Sequence, residues 1–396
     1  MKIAHAIRRL SFADWGGTEQ VVWHLAKTQA AAGHEVRVFA TDALCQVPRE
    51  ERDGLEIRRF PCLYPWWPMP RRVRDALDRK GGNPFVPGLG KALRAWQPDI
   101  VHCHAMGRIA ELCIRTAAAT GAKSVVQLHG GAANVPAAEA ESLRAPTRGR
   151  LPWGKAVELA CGWTRRVPED ADGIVCVGED EADFWKTRHG HVLWLPNGVD
   201  AARFARGGAR PDARCTAGKK AFRVLCVARI DRQKNQMALV EALARKPDMR
   251  LRLVGPVTQP DYSDELLARA AELGVEGRLE VAGALPPGSP ALAAEYGKAD
   301  AFALASRHEP FGIAVLEAWA AGLPVAASSA GGLGRLCAAH PGAAASFAPG
   351  DAAGLDAALE KTRTDGPAMA AAGRAAAKEY AWDALAAKLV AFYAIL

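Results

Sequence analysis

No apolar run in the sequence is long enough to cross a membrane as a helix, because charges, glycine or proline interrupt every candidate short of about 20 residues. The start, MKIAHAIRRL, is apolar for too short a stretch before Arg8 and Arg9 to be a secretory leader, and it reads as a first buried strand. None of the nine cysteines belongs to a C-x-x-C pair, and Cys176 and Cys226 fall inside apolar, strand-like runs. Buried free thiols in a cytoplasmic protein are therefore expected, and a structural zinc site is not. The G-x-G-x-x-G fingerprint is missing, which counts against a dinucleotide cofactor and a dehydrogenase. Acidic residues are outnumbered, giving a formal net charge of +8, yet no zinc-finger, RNP or helix-turn-helix pattern accompanies the basic ones. Nucleic acid is not the expected partner; phosphorylated substrates and anionic lipid are.

What is present is ordinary in bulk and repetitive in pattern. The 396 residues, 49% hydrophobic and 24% charged, suit two domains with a core each. In the first half, segments 2–7, 34–40, 99–105, 123–130, 172–178 and 192–197 read as strands, and 18–33 as a helix closed by Gly33. Strand, helix, strand at this spacing predicts right-handed parallel units. A polar stretch rich in Gly and Arg, 205–221, holds or follows the linker. The pattern then restarts, with strands at 222–228, 250–255, 278–283, 300–306 and 323–328 and helices at about 235–245, 262–273, 290–298 and 313–321. The fold class is α/β, and ligands are expected beyond the carboxyl ends of the strands.

The densest chemical signal is SRHEPFGIAVLEAWAAGLPVAAS, residues 306–328. Pro310 disfavours helix at the residue before it, which places Glu309 in a loop. The run IAVLEAWAAG reads as a buried helix ended by Gly322, with Glu317 inside it. The amides of Phe311, Gly312 and Ile313 then lie free at a helix N-terminus, in a field suited to an anion. Two carboxylates flanking such a nest suit a ligand with hydroxyls at both ends and negative charge between. A helix cap by Glu309 and a surface Glu317 is the plainer alternative.

This stretch resembles the Glu-x7-Glu signature of the retaining glycosyltransferases of family 4, down to the small Ser306, the Glu-Pro-Phe-Gly core and the Ala-Gly-Leu-Pro-Val exit strand. The resemblance implies a GT-B fold: two doubly wound Rossmann-like domains facing across a cleft. On it, residues 1–200 bind the acceptor, 201–375 bind the nucleotide-sugar, and 376–396 form a helix that returns to the first domain. It further implies an NDP-sugar as substrate, no cofactor, Glu309 against the donor sugar and Glu317 on the ribose.

Four other segments fit the same resemblance. Gly16 and Gly17, ahead of Thr18 and Glu19, allow close approach of backbone to a ligand, and in the family this loop lies under the donor diphosphate. In VARIDRQKNQ, Arg229 and Lys234 match the pair that holds the donor phosphates, where charge gathers as the sugar bond breaks. Many relatives have Gly after the lysine where this chain has Asn235. His129, at the end of a strand in QLHGG, matches a histidine that faces the donor sugar. LPNGVDAARF (195–204) matches the turn that joins the domains, with Phe204 as an anchor. The catalytic set is thus Glu309, His129, Arg229 and Lys234. The chain departs from the family at GGLGRLC, where Gly334 and Arg335 follow the Gly331-Gly332 pair and many members have a glutamate.

No D-x-D pair closes a strand, so no divalent ion is expected at the diphosphate. His102 and His104 in VHCHA lack a carboxylate or cysteine at ligand spacing and read as packing or acceptor-side residues rather than a metal pair. Within 60–90, Trp66 and Trp67 stand beside Arg71, Arg72 and Arg74, which suits peripheral contact with anionic lipid on the inner face of a membrane. A proline-rich loop packed on its own domain is the alternative. The acceptor is then a cell-envelope glycan or lipid-linked glycan, or else a small soluble hydroxy acid, sugar phosphate or thiol. A catalytically dead nucleotide-sugar-binding module is the remaining reading, and the intact set of four polar residues speaks against it.

Overall fold

A computed structural model describes residues 1–12, 16–79, 81–129, 145–163, 166–207, 221–286, 288–309 and 311–396. Gly130, Gly131, Pro310 and most of the expected linker lie outside them. The chain divides into two compact units, Met1–Pro196 with Trp382–Leu396, and Asn197–Ala381.

The first unit is built on an eight-stranded sheet in the order Val192–Trp194, Gly173–Cys176, Lys123–Leu128, Ile100–Cys103, Lys2–Ile7, Glu35–Thr41, Leu55–Phe60, Arg49–Arg52. All neighbours are parallel except the last pair. That antiparallel hairpin escaped the sequence reading, although its turn is Asp53-Gly54, both with positive φ, a strong local hairpin signal. Helices cover both faces, which is why central strands such as Ile100–Cys103 are buried at every position. One face packs Val73, Leu77, Leu93 and Ile109 over Ala4, Ala6 and Val101. On the other, Val22 and Leu25 of the helix Gly17–Ala31 join Leu385, Leu389 and Phe392 of the helix Trp382–Tyr393.

The second unit has a fully parallel six-stranded sheet: Leu279–Val281, Met249–Val254, Phe222–Val227, Ala301–Leu304, Val325–Ser328, Ala345–Phe347. Phe204 is buried edge-on against Tyr296, centroids 5.2 Å apart, and so fastens the start of this unit to its core. The boundaries expected at 200/201 and 375/376 fall at 196/197 and 381/382. Two contacts explain the shift. The Val199 amide donates to the Tyr380 carbonyl at 2.8 Å, and Gly366–Glu379 lies so close on Trp319 that a Cβ at Gly373 would come within 2.7 Å of its ring. The Ala-rich tail is thus two helices, and only the second joins the first unit.

Candidate active site

In each sheet the chain reverses its direction of travel beside the first strand of the unit, which opens a crevice at the carboxyl ends of two neighbouring strands. In the second unit these are Phe222–Val227 and Ala301–Leu304. Arg229 and Lys234 follow the former, and Ser306 and Glu309 the latter, so topology brings together two motifs 75 residues apart. Lys234 Nζ donates to Glu309 Oε2 at 2.7 Å, each side chain only 13% exposed. The Lys234 amide is held by the Asp231 carboxylate at 3.1 Å, and Arg229, half-exposed, reaches the same carboxylate at 3.4 Å. Asn235 takes a left-handed conformation, φ 52° and ψ 44°. Glycine adopts that region most easily and asparagine is among the best of the rest, so the family's Gly and this chain's Asn answer one backbone demand.

The loop carrying Glu309 is clamped from behind. The Gly332 amide donates to the Glu309 carbonyl at 3.0 Å, and Gly331, φ +55°, lies so close that a Cβ would be 2.9 Å from that oxygen. The glycine pair thus supports the Glu309 backbone, a role the sequence reading left open. Gly334 sits tightly too: a Cβ there would be 2.6 Å from the Ser329 carbonyl. Ahead of the helix Ile313–Ala320, the amides of Phe311, Gly312 and Ile313 have no acceptor among the described residues. Gly322 ends the helix in a left-handed turn, with the Leu323 amide bonded back to Ala318.

Glu317 lies on that helix, as expected, but is buried rather than presented on a surface. Its Oε2 accepts from the hydroxyl of Tyr296, 2.6 Å away and fully buried. Burial pushes its carboxyl up to about 7, and the Tyr296 hydrogen bond opposes the rise only in part.

In the first unit the equivalent reversal lies between Lys2–Ile7 and Ile100–Cys103. A cavity of about 670 Å³ opens there, lined by Arg8, Arg9, Gly16, Gly17, Glu19 and His104, among others. Gly16 precedes the helix, and Glu19 in its first turn is buried against Arg9, Nε to Oε1 2.6 Å. The acid of the GG-x-E motif is therefore committed to Arg9. His129 ends its strand as expected and is partly exposed. Its Nε2 contacts His104 Nδ1 at 3.2 Å, and His104 Nε2 contacts His5 Nδ1 at 2.9 Å. Burial holds His5 and His129 down to about 4 and His102 and His104 well below the usual range, so all four are neutral.

His5, His102 and His104 each bring a ring nitrogen within 4.8 Å of the others, a grouping with the residue types of a metal site. The rings of His102 and His104 stack 4.2 Å apart at 27°, however. A ligated ion lies near the plane of each imidazole, and two rings stacked in this way share no such point close to their nitrogens. Their H-x-H spacing, with His5 as the register partner of His102 on the next strand, is what puts them on one face.

The aromatic-basic patch is smaller than expected. Trp67 is 68% exposed and its cross-strand partner Leu151 70%, with Arg71 and Arg72 exposed nearby. Trp66 packs on the core, and Arg74 is bound to Asp42 at 3.1 Å. Those two residues are only partly exposed, each held to its own unit.

Comparison with known proteins agrees with this fold. Residues 15–203 match the model of Glycosyltransferase Family 4, and residues 213–379 that of Glycosyl transferases group 1. The chain is 30% identical to D-inositol 3-phosphate glycosyltransferase 1 of Catenulispora acidiphila over 96% of this chain and 91% of that protein. It is 28% identical to glycogen synthase of Mycobacterium tuberculosis over the same shares. The Anabaena HepE structure in complex with UDP and glucose superposes over the full length of both chains with a TM-score of 0.67, at 19% identity, a likeness of fold. With both halves matched and both units doubly wound, the chain belongs to the family 4 glycosyltransferases of the GT-B fold.

Proposed function

We propose that this glycosyltransferase moves a hexosyl group from an NDP-sugar to a cell-envelope glycan or lipid-linked acceptor, with retention at the anomeric carbon and without a metal ion. The observation that carries the reading is the Lys234–Glu309 contact beside the free amides of Phe311, Gly312 and Ile313. An ammonium, a guanidinium at Arg229 and a helix N-terminus together form an anion site, and a partly buried carboxylate beside it suits sugar hydroxyls. In the reaction the bond from the anomeric carbon to the diphosphate oxygen breaks with its electron pair leaving on the diphosphate. The acceptor oxygen bonds to that carbon on the same face, and its proton passes to a diphosphate oxygen. Arg229, Lys234 and the amides stabilise the departing charge, Glu309 and His129 orient the sugar, and Glu317 serves the ribose. Gly16 and Gly17 supply backbone to the diphosphate.

The HepE structure holds UDP and glucose, which supports a nucleotide-sugar donor here. A thermal-shift series with UDP, GDP and ADP tests it: one diphosphate should raise the melting temperature, and no shift with any of them would remove the donor assignment. The anomeric configuration of the product tests retention.

For the acceptor, the exposed Trp67–Leu151 pair with Arg71 and Arg72 favours the membrane side, because apolar rings flanked by cations suit an anionic lipid surface. No helix among the described residues is long and apolar enough to span a membrane, so this contact is peripheral. One relative is a glycosyltransferase of D-inositol 3-phosphate, which supports the small soluble alternative. Flotation with and without anionic vesicles separates the two.

A further inference from the structure

Three buried polar side chains lie behind His129, and the mechanism above uses none of them. His5, on the first strand, bonds through Nε2 to the Oε1 of Gln29 at 2.7 Å. Its Nδ1 meets His104 Nε2 at 2.9 Å, and His104 Nδ1 meets His129 Nε2 at 3.2 Å. Gln29 is fully buried in the helix Gly17–Ala31, as is His5 in its strand, and His104 is nearly so. Beyond His129 Nε2 the series stops: the ring is partly exposed, and its Nδ1 has no partner among the described residues.

The direction of hydrogen bonding along this series is determined by its inner end. A neutral imidazole has one N–H and one bare nitrogen. Gln29 turns its carbonyl oxygen to His5, and its amide nitrogen, a donor, has no partner among the described residues. With the oxygen inward, which only accepts, His5 carries its proton on Nε2 and presents a bare Nδ1. His104 must then donate from Nε2 and accept at Nδ1, and His129 must donate from Nε2. We propose that Gln29, acting through His5 and His104, fixes His129 as the Nε2–H tautomer, so that its bare Nδ1 accepts a hydrogen bond from a hydroxyl of the substrate. Gln29, His5 and His104 are positioning residues, and His129 is the one that touches substrate. This inference rests on the assignment of His129 to the donor sugar and adds to it the polarity of the contact.

The arrangement suits its purpose physically. Every ring in the series is neutral because burial disfavours the imidazolium, so no member can donate from both nitrogens and scramble the order. His102 stands to one side, its Nδ1 bonded to the Tyr393 hydroxyl at 2.6 Å, and does not interrupt the line. A sugar hydroxyl offers a proton readily, and a bare nitrogen in a partly dry site receives it with directionality that a mixture of tautomers would lose. Reversing the inner end would reverse all three rings and turn His129 into a competing donor.

The test uses full-length protein labelled with ¹⁵N-histidine, with nitrogen shifts reporting which atom of each ring is protonated near pH 7. In the wild type, His129 should show a protonated Nε2 and a bare Nδ1; the opposite tautomer or an imidazolium would overturn the proposal. Gln29→Leu should leave a folded protein in which the His129 signals move toward a mixture of tautomers, with kcat lowered about tenfold and KM for the donor nearly unchanged. Unchanged His129 shifts in Gln29→Leu would refute the linkage. If Gln29→Leu does not fold, the tautomer of His129 in the wild type still decides, because a bare Nε2 or a mixture there contradicts the proposal. These readings need no turnover, so they stand apart from the diphosphate series that tests the donor assignment.

Discussion

Lys234 and Glu309 form an ion pair, Nζ to Oε2 2.7 Å, between two loops that leave adjacent parallel strands of the second unit. The pair keeps a carboxylate and an ammonium ready at one point without leaving either charge unmatched in a poorly solvated place. On the proposed function, a diphosphate arriving there would compete with Glu309 for the lysine, and the carboxylate freed from that contact would accept from sugar hydroxyls.

Lys234→Ala should reduce turnover by roughly 10²-fold or more, the scale of losing one charge contact to a developing anion. Stability should fall by about 1–3 kcal/mol, because Glu309, 13% exposed, is left without its ion-pair partner. Steady-state rates and urea unfolding on the same sample check both halves. Near-normal turnover would remove the phosphate role.

Activity should survive a large excess of EDTA if, as proposed, the phosphate site is assembled from Arg229, Lys234 and backbone amides. Complete loss, restored by Mg²⁺ or Mn²⁺, would show that the diphosphate is held by an ion instead.

Glu317 predicts a particular pH dependence of stability. Its folded pKa, about 7, lies above the ordinary carboxylate value, so below about pH 4.5 it is protonated in both states and contributes nothing. As pH rises toward 7 the unfolded chain releases the proton while the folded one keeps it, and stability falls. Glu317→Gln, which still accepts from Tyr296, should therefore gain on the order of 1–3 kcal/mol over wild type at pH 8 and nearly nothing at pH 4.5. Urea titrations at the two values measure this. An equal difference at both would mean the carboxyl is not shifted. Nucleotide affinity should drop in the same variant if the carboxylate serves the ribose.

Arg71→Ala/Arg72→Ala should weaken binding to anionic vesicles about 30-fold, at about 1 kcal/mol for each arginine near the surface. Rising salt should weaken wild-type binding in parallel. Activity on a soluble acceptor mimic should be unaffected. Vesicle binding equal to wild type would turn the patch into simple surface and favour a small soluble acceptor.

Local features of the site were legible because local rules set them. Pro310 and Gly312 placed Glu309 in a loop and Glu317 in the helix after it, and apolar runs such as VVQL marked strands buried on both faces. The hairpin around Asp53-Gly54 was missed because its edge strand, Arg49–Arg52, is short, polar and exposed, although its partner Leu55–Phe60 alternates buried and half-buried positions. Arg74 and Trp66 were grouped with their neighbours by sequence proximity. Helix and strand geometry instead turned Arg74 to Asp42 and Trp66 to the core.

By itself, the sequence determined which residues carry charge, which segments repeat as strand and helix, and where glycine or a tolerant asparagine permits a left-handed turn; each follows from neighbours within a few positions. Tertiary structure alone decided that Lys234 meets Glu309, that Glu317 is buried against the Tyr296 hydroxyl, and that Gln29, His5 and His104 line up behind His129. Those contacts join positions 21 to 99 residues apart. They depend on the order in which parallel strands pair and on the helices laid over them, and a spacing rule that reaches one turn or one alternation cannot contain that order.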